Sequence, residues 1–163
     1  MRIALLTGGS TPRPSSLPVA IRSASDFDPF GNDQQENRAT VARVADGDPA
    51  TAWSTETYTS RQLGGLKPGV GVVLELDHTV QVDRVQLSTR ADDWAASIHV
   101  AATKPATFEA WGDPRGRVEH AGRDTAIPVA GTGRYVLVWF TDLGSGPPFR
   151  LDVAEVSVSG RNA

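Results

Sequence analysis

Short segments of alternating apolar and polar residues fill the chain from Gly71 onward, and no segment keeps a helical period for four turns. "GVVLELDHTV" sets Leu74 and Leu76 against Val73 and Glu75, and "QVDRVQLSTR" places Val82, Val85 and Leu87 among polar neighbours. "ASIHVAAT" puts Ile98 and Val100 on one side and His99 on the other. "RYVLVWFTDL" is a continuous β-branched and aromatic run, the pattern of a strand buried on both faces. "FRLDVAEVSVSG" offers Leu151, Val153, Val156 and Val158 to a core, and its phase slips at Ala154–Glu155, which predicts a bulge. Period two with frequent Gly/Pro breaks predicts an all-β fold, an antiparallel β-sandwich or jelly roll. "DHTVQVDRV" is read as a tight connection between two hairpin strands, and a first strand at 19–23 as a partner of the last, 151–158. The stretch 40–45 suits either one helical turn or a strand.

Sixteen glycines and eleven prolines in 163 residues supply the turns that many short strands need. With 39% hydrophobic and 21% charged residues, the chain is apolar enough to bury the core of one domain. A net charge of −3 argues against a nucleic-acid partner, which selects a clustered basic face. No eighteen-residue apolar run offers a membrane span, and the absence of cysteine removes disulfides, thiolate metal sites and thiol nucleophiles. Residues 1–18 are read as a linker or stalk, 19–160 as the folded domain and 161–163 as a tail. Ile3–Leu6 is too short for the core of a signal peptide and is read as the trimmed end of an apolar segment upstream.

The candidate chemistry begins with "VADGDPATAWST" (44–55). Asp46 and Asp48 flank a glycine, so both carboxylates, nearby carbonyls and Thr51 can converge on one hard cation such as Ca2+. The same residues also suit a turn in which each aspartate bonds its own backbone. Tyr135 and Trp139, in the apolar run, are assigned to the core. Trp94 and Trp111 lie beside turns, where an indole face can stack on a sugar and polar neighbours can meet its hydroxyls. Arg90, Asp92, Asp93 and Trp94 form one such group, with Tyr58 and Trp111 from other loops; the alternative is that both tryptophans cap the sandwich. Catalysis is not expected. Carboxylates adjacent in sequence seldom straddle a scissile bond, His78, His99 and His120 lack metal spacing, and hydrolase and P-loop motifs are missing.

"VADGDPATAWST", "GVVLELDHTVQVDRVQL" and "FRLDVAEVSVSG" together resemble the discoidin-like domains of galactose-binding-like fold, a group that includes coagulation-factor type C domains and bacterial carbohydrate-binding modules. "FDPFGNDQQEN", "DGDPATAWSTETY", "KPGVGVVLEL", "FEAWGDP" and "GRYVLVWFTDL" further resemble the extracytoplasmic C-terminal domain of actinobacterial MviN/MurJ-like proteins, of the peptidoglycan lipid-intermediate flippase family. The first resemblance implies a structural Ca2+ held by Asp46, Asp48, Thr51 and Glu155, with carbonyls near Arg43, and a buried Trp53. The second implies a binding module on the outer face of the cytoplasmic membrane. Its expected partner is a cell-wall saccharide or peptidoglycan precursor; the alternative is docking to another cell-wall synthesis protein.

Overall fold

The structure, a computed structural model, describes residues 16–163. Eight strands are paired throughout in antiparallel fashion: β1 (Leu17–Val19), β2 (Ile21–Phe27), β3 (Trp53–Ser54), β4 (Val70–Thr89), β5 (Trp94–Ala101), β6 (Gly116–Ala121), β7 (Asp124–Asp142) and β8 (Asp152–Asn162). The expectation of residues 1–18 as a linker lies largely outside the described residues. At its near end the structure differs, because Leu17 and Pro18 already belong to β1.

Two long strands, β4 and β7, organise everything else. Val70–Glu75 pair with Phe140–Tyr135 of β7 and, on the other side, with β2; Val80–Ser88 pair with Gly133–Asp124 of β7 and with β8. The register breaks between Glu75 and Val80, where Asp77, His78 and Thr79 are exposed. One layer therefore runs β2–β4–β7–β5–β6 and the other β1–β8–β4–β7, each using a different half of the two long strands. The segment "DHTVQVDRV" is not a hairpin. It lacks the Asn-Gly or Gly-Gly pair that reverses a chain in two residues, so its polar residues mark where a single strand passes from one layer to the other.

Between the layers, Val72, Leu74, Val138, Phe140 and Ile98 of one sheet face Val85, Leu87, Ile127, Val153 and Val156 of the other, all almost fully buried. This is the in-out alternation predicted from the sequence, and at ~25 cal/mol per Å2 of apolar surface it is the main stabilising term. The β7 run is buried on both faces as expected, because Leu137 and Trp139 point to the opposite side of the sheet, into a second cluster. The bulge in β8 is present: Glu155 pairs with Ser88, but the next pair is Val153 with Thr89. Val19 pairs with Val158, so β1, the first strand among the described residues, closes against β8; the following residues leave β8 and join β4 instead. Residues Arg38–Ala45 form a 3-10 helix whose Val41 and Val44 enter the core, which settles the choice left open for 40–45.

Candidate functional site

The loops at one end of the sandwich carry most of the residues picked out in the sequence, and there they are mainly structural. Gly47 holds the left-handed conformation (φ 76°) that lets the 46–51 loop turn sharply. Asp46 accepts from the Asp48 amide (2.9 Å) and the Thr51 hydroxyl (2.6 Å), while Asp48 accepts from the Ala50 amide (2.9 Å). These bonds, to Thr51 first, hold the Asp46 carboxyl below its ordinary range. Glu155 comes up beside this loop from the β8 bulge. Burial, then the charge of Asp46, pushes its carboxyl up, and its Oε1 is buried without a hydrogen-bond partner. The four expected ligands are thus neighbours, and their oxygens are of the hard type Ca2+ takes. Among the described residues, however, no three acidic or histidine side chains surround a common point. The loop closes on its own backbone, and the unpartnered Glu155 oxygen is what an ion would act on.

The indoles at this end face inward. Trp53 is fully buried and donates to the Glu36 carbonyl (2.8 Å). Trp94 is also fully buried, packs edge-on against Phe140 and donates to the Gly122 carbonyl (3.0 Å). Its expected role as a sugar platform is corrected: both the ring and the N–H are spent on the interior. Trp111 is corrected on its ring alone: it is 4% exposed, packed edge-on against Phe27 in the cluster on the outer face of the β2–β4–β7–β5 sheet, and its Nε1 is buried without a hydrogen-bond partner.

Tyr58 is buried as well. Its hydroxyl donates to Glu36 (2.8 Å) and accepts from Lys67 (2.9 Å), and Lys67 also meets Asp28 (2.8 Å). Burial, then Glu36, drives the Tyr58 phenol up; burial also raises Glu36 against its hydrogen bonds from Glu56 and Tyr58. For Lys67, burial works to lower the pKa but loses to the bonds with Asp28 and Tyr58 and the charge of Glu36, so the ammonium stays charged. This network ties the long 28–69 connection to itself.

Of the expected polar group, Arg90 and Asp92 do line one notch of about 290 Å3, with Arg123, Arg150 and Asp152. The cations are largely occupied: Arg90 donates to the Ala50 carbonyl, Arg123 meets Asp92 and Arg150 meets Asp152. Asp93 joins a separate clamp, with Arg61 (2.9 Å) and His120 (2.6 Å). No stacking ring completes the notch.

A ring is displayed elsewhere. On the outer face of the β2–β4–β7–β5 sheet, Phe108 lies flat on Trp139 (centroids 4.3 Å apart, planes 22°). Phe30 stands across it (6.5 Å, 66°) and remains 43% exposed. The two rings make a floor and a wall. They open onto a groove of about 430 Å3 with Gln34, Arg38, Lys104 and Glu109 around it. Arg38 is fixed by Asp26 (2.9 Å), and Lys104 by the Ser25 hydroxyl (3.1 Å). Sequence reasoning missed this corner. The available signal was an aromatic between Pro29 and Gly31, in a polar loop where no strand pattern calls for one.

No family model matches the chain. Its fold is that of carbohydrate-binding modules of known structure. Similar structures include the CBM32 of AlyQ in complex with 4,5-unsaturated mannuronic acid, with a TM-score of 0.61 and 15% identity over 87% of this chain and 97% of that one. CpGH89CBM32-5 from Clostridium perfringens, in complex with GalNAc-β-1,3-galactose, has a TM-score of 0.58 and 14% identity over 88% and 99%. Chitosan-binding module 1, derived from a chitosanase/glucanase of Paenibacillus sp. IK-5, has a TM-score of 0.55 and 21% identity over 88% and 99%. At these identities the likeness establishes the shared antiparallel β-sandwich expected from the sequence.

Proposed function

We propose that this chain is a non-catalytic saccharide-binding module whose ligand rests in the Phe30–Phe108 corner. The observation that carries the reading is Phe30, a large aromatic left 43% exposed beside charged and amide side chains. Sugar C–H faces pack on such rings while hydroxyls take polar partners, and a groove of this size lies within the usual range for small ligands. The fold supports the reading, since CBM32 modules with saccharides bound share it. The class of sugar, a cell-wall glycan or peptidoglycan precursor, and the setting follow from the resemblance to MviN/MurJ-like proteins. There the module stands on the outer face of the cytoplasmic membrane beside a polytopic partner domain. A Ca2+ held by Asp46, Asp48, Thr51 and Glu155 belongs to the same reading. Its support is the set of hard oxygens and the unpartnered Oε1 of Glu155.

The test is a calorimetric titration of soluble peptidoglycan fragments into the wild-type chain and Phe30→Ala. Binding to the wild type that weakens at least tenfold in Phe30→Ala is expected. Wild-type binding that survives the substitution places the ligand elsewhere, and the absence of binding to any saccharide removes the reading.

A further inference from the structure

The aromatic corner is one end of a longer feature. A second groove of about 520 Å3 lies on the far side of Phe108 and shares that ring with the first. Strand register shows how the two are laid out. Phe27 pairs with Gly71, Gly71 with Trp139, Trp139 with Ser97, and Ser97 with Arg117, so one row crosses β2, β4, β7, β5 and β6. Four steps between neighbouring strands at about 4.8 Å each give a row of ~19 Å, several sugar rings long. Phe108 covers the middle of the row by stacking on Trp139.

The chemistry changes along the row, from aromatic rings at the β2 end to hydrogen-bonding groups at the β6 end. Ser97 Oγ lies 2.9 Å from His99 Nε2, and His99 Nδ1 lies 3.0 Å from the Gly112 carbonyl. A carbonyl only accepts, so the proton of the neutral ring sits on Nδ1 and Nε2 accepts from Ser97. Burial holds His99 in that neutral form. The Ser97 hydroxyl therefore spends its proton inward and offers lone pairs to the groove, where the exposed Arg117 offers donors. Acceptor and donor side by side suit the hydroxyls or amide of a second sugar, beyond the one on the rings.

We infer that the ligand is a stretch of glycan chain laid across the sheet from Phe30 over Phe108 to Ser97 and Arg117, rather than a single sugar or terminal disaccharide. This rests on the saccharide-binding reading above and adds length as the selected property. The test is titration with purified peptidoglycan glycan strands of one, two and four disaccharide units, on the wild-type chain, Arg117→Ala and, as a control on the opposite sheet, Gln86→Ala. The expected result is an affinity that rises about tenfold or more from one unit to two and changes little from two to four. Arg117→Ala should bring the four-unit strand close to the affinity of the single unit, while Gln86→Ala behaves as wild type. Arg117 is exposed, so thermal melting of the variant should match the wild type. Binding of one unit with no gain on lengthening, or a gain that Arg117→Ala leaves intact, overturns this inference alone. No binding at any length overturns it together with the saccharide reading.

Discussion

The two aromatic regions of this molecule are built on opposite terms. At the loop end, Trp53 and Trp94 are fully buried and each donates its N–H to a main-chain carbonyl. On the outer sheet face, Phe30 and Phe108 have no polar group to satisfy, and their rings remain partly open to solvent. An indole beside a turn is therefore not by itself a platform. For Trp53 and Trp94 the carbonyl partner of the N–H fixes the ring in the interior, because an unpaired buried donor is costly. A phenylalanine in a polar loop carries no such obligation and can stay at the surface.

The largest effect is expected at Trp94. Trp94→Ala should destabilise the fold by about 3–5 kcal/mol, the usual cost of emptying a large buried aromatic site. Denaturant unfolding checks this, and a loss below about 1 kcal/mol would return Trp94 to the candidates for ligand contact. Nearly as large is the effect expected at Lys67, whose side chain is 10% exposed and whose ammonium lies among Asp28, Glu36 and Tyr58. Lys67→Ala leaves two buried carboxylates without their cation and should cost roughly 3 kcal/mol. If it is silent in the same unfolding experiment, the network does not hold the loop that displays Phe30.

A smaller and more conditional effect belongs to the 46–51 loop. Calcium at a hundredfold excess over its dissociation constant would add about 2.7 kcal/mol to a native state that alone binds it. The Tm should therefore rise with Ca2+ and fall back with chelator, and Glu155→Gln should abolish the response. An unchanged Tm in the wild type removes the ion and leaves the loop as a backbone-bonded turn.

The smallest effect concerns the exposed Asp93–His120 pair. The hydrogen bond from His120, then Arg61, lowers Asp93, and Asp93 raises His120 above the ordinary 6.5. The histidine's contribution is fully present below pH 6.5 and fades as pH rises through its higher folded value. The aspartate's contribution is present above its ordinary 3.8 and fades as pH falls through its lower folded value. The Tm of the wild type minus that of His120→Asn, a residue that accepts the positive φ of 53°, should be greater at pH 5.5 than at pH 8.5. An equal difference at both pH values dissolves the pair.

The sheet was legible because alternation is a local property. Val153, Val156 and Val158 are where their phase puts them, and the slip at Ala154–Glu155 is a real bulge. The long strand β4 was misread because a polar interruption looks alike in sequence whether the chain turns back or crosses between layers. In the loops the fold brings together residues that the sequence groups: Asp46, Asp48, Thr51 and Glu155 are neighbours, and Arg90 lines one notch with Asp92. Side-chain direction was not readable there. The inward turn of Trp94 depends on the carbonyl of Gly122, a distant residue, and Phe30 gains meaning only when Phe108, 78 positions later, lies on Trp139 beside it.

Amide chemical-shift mapping during titration with soluble peptidoglycan glycan strands locates the bound saccharide on the molecule. Binding in the proposed groove shifts amides centred on Phe30, Lys104 and Phe108, continuing to Ser97 and Arg117. Shifts centred on Arg90, Asp92 and Arg123, with the Phe30 loop unmoved, would contradict it.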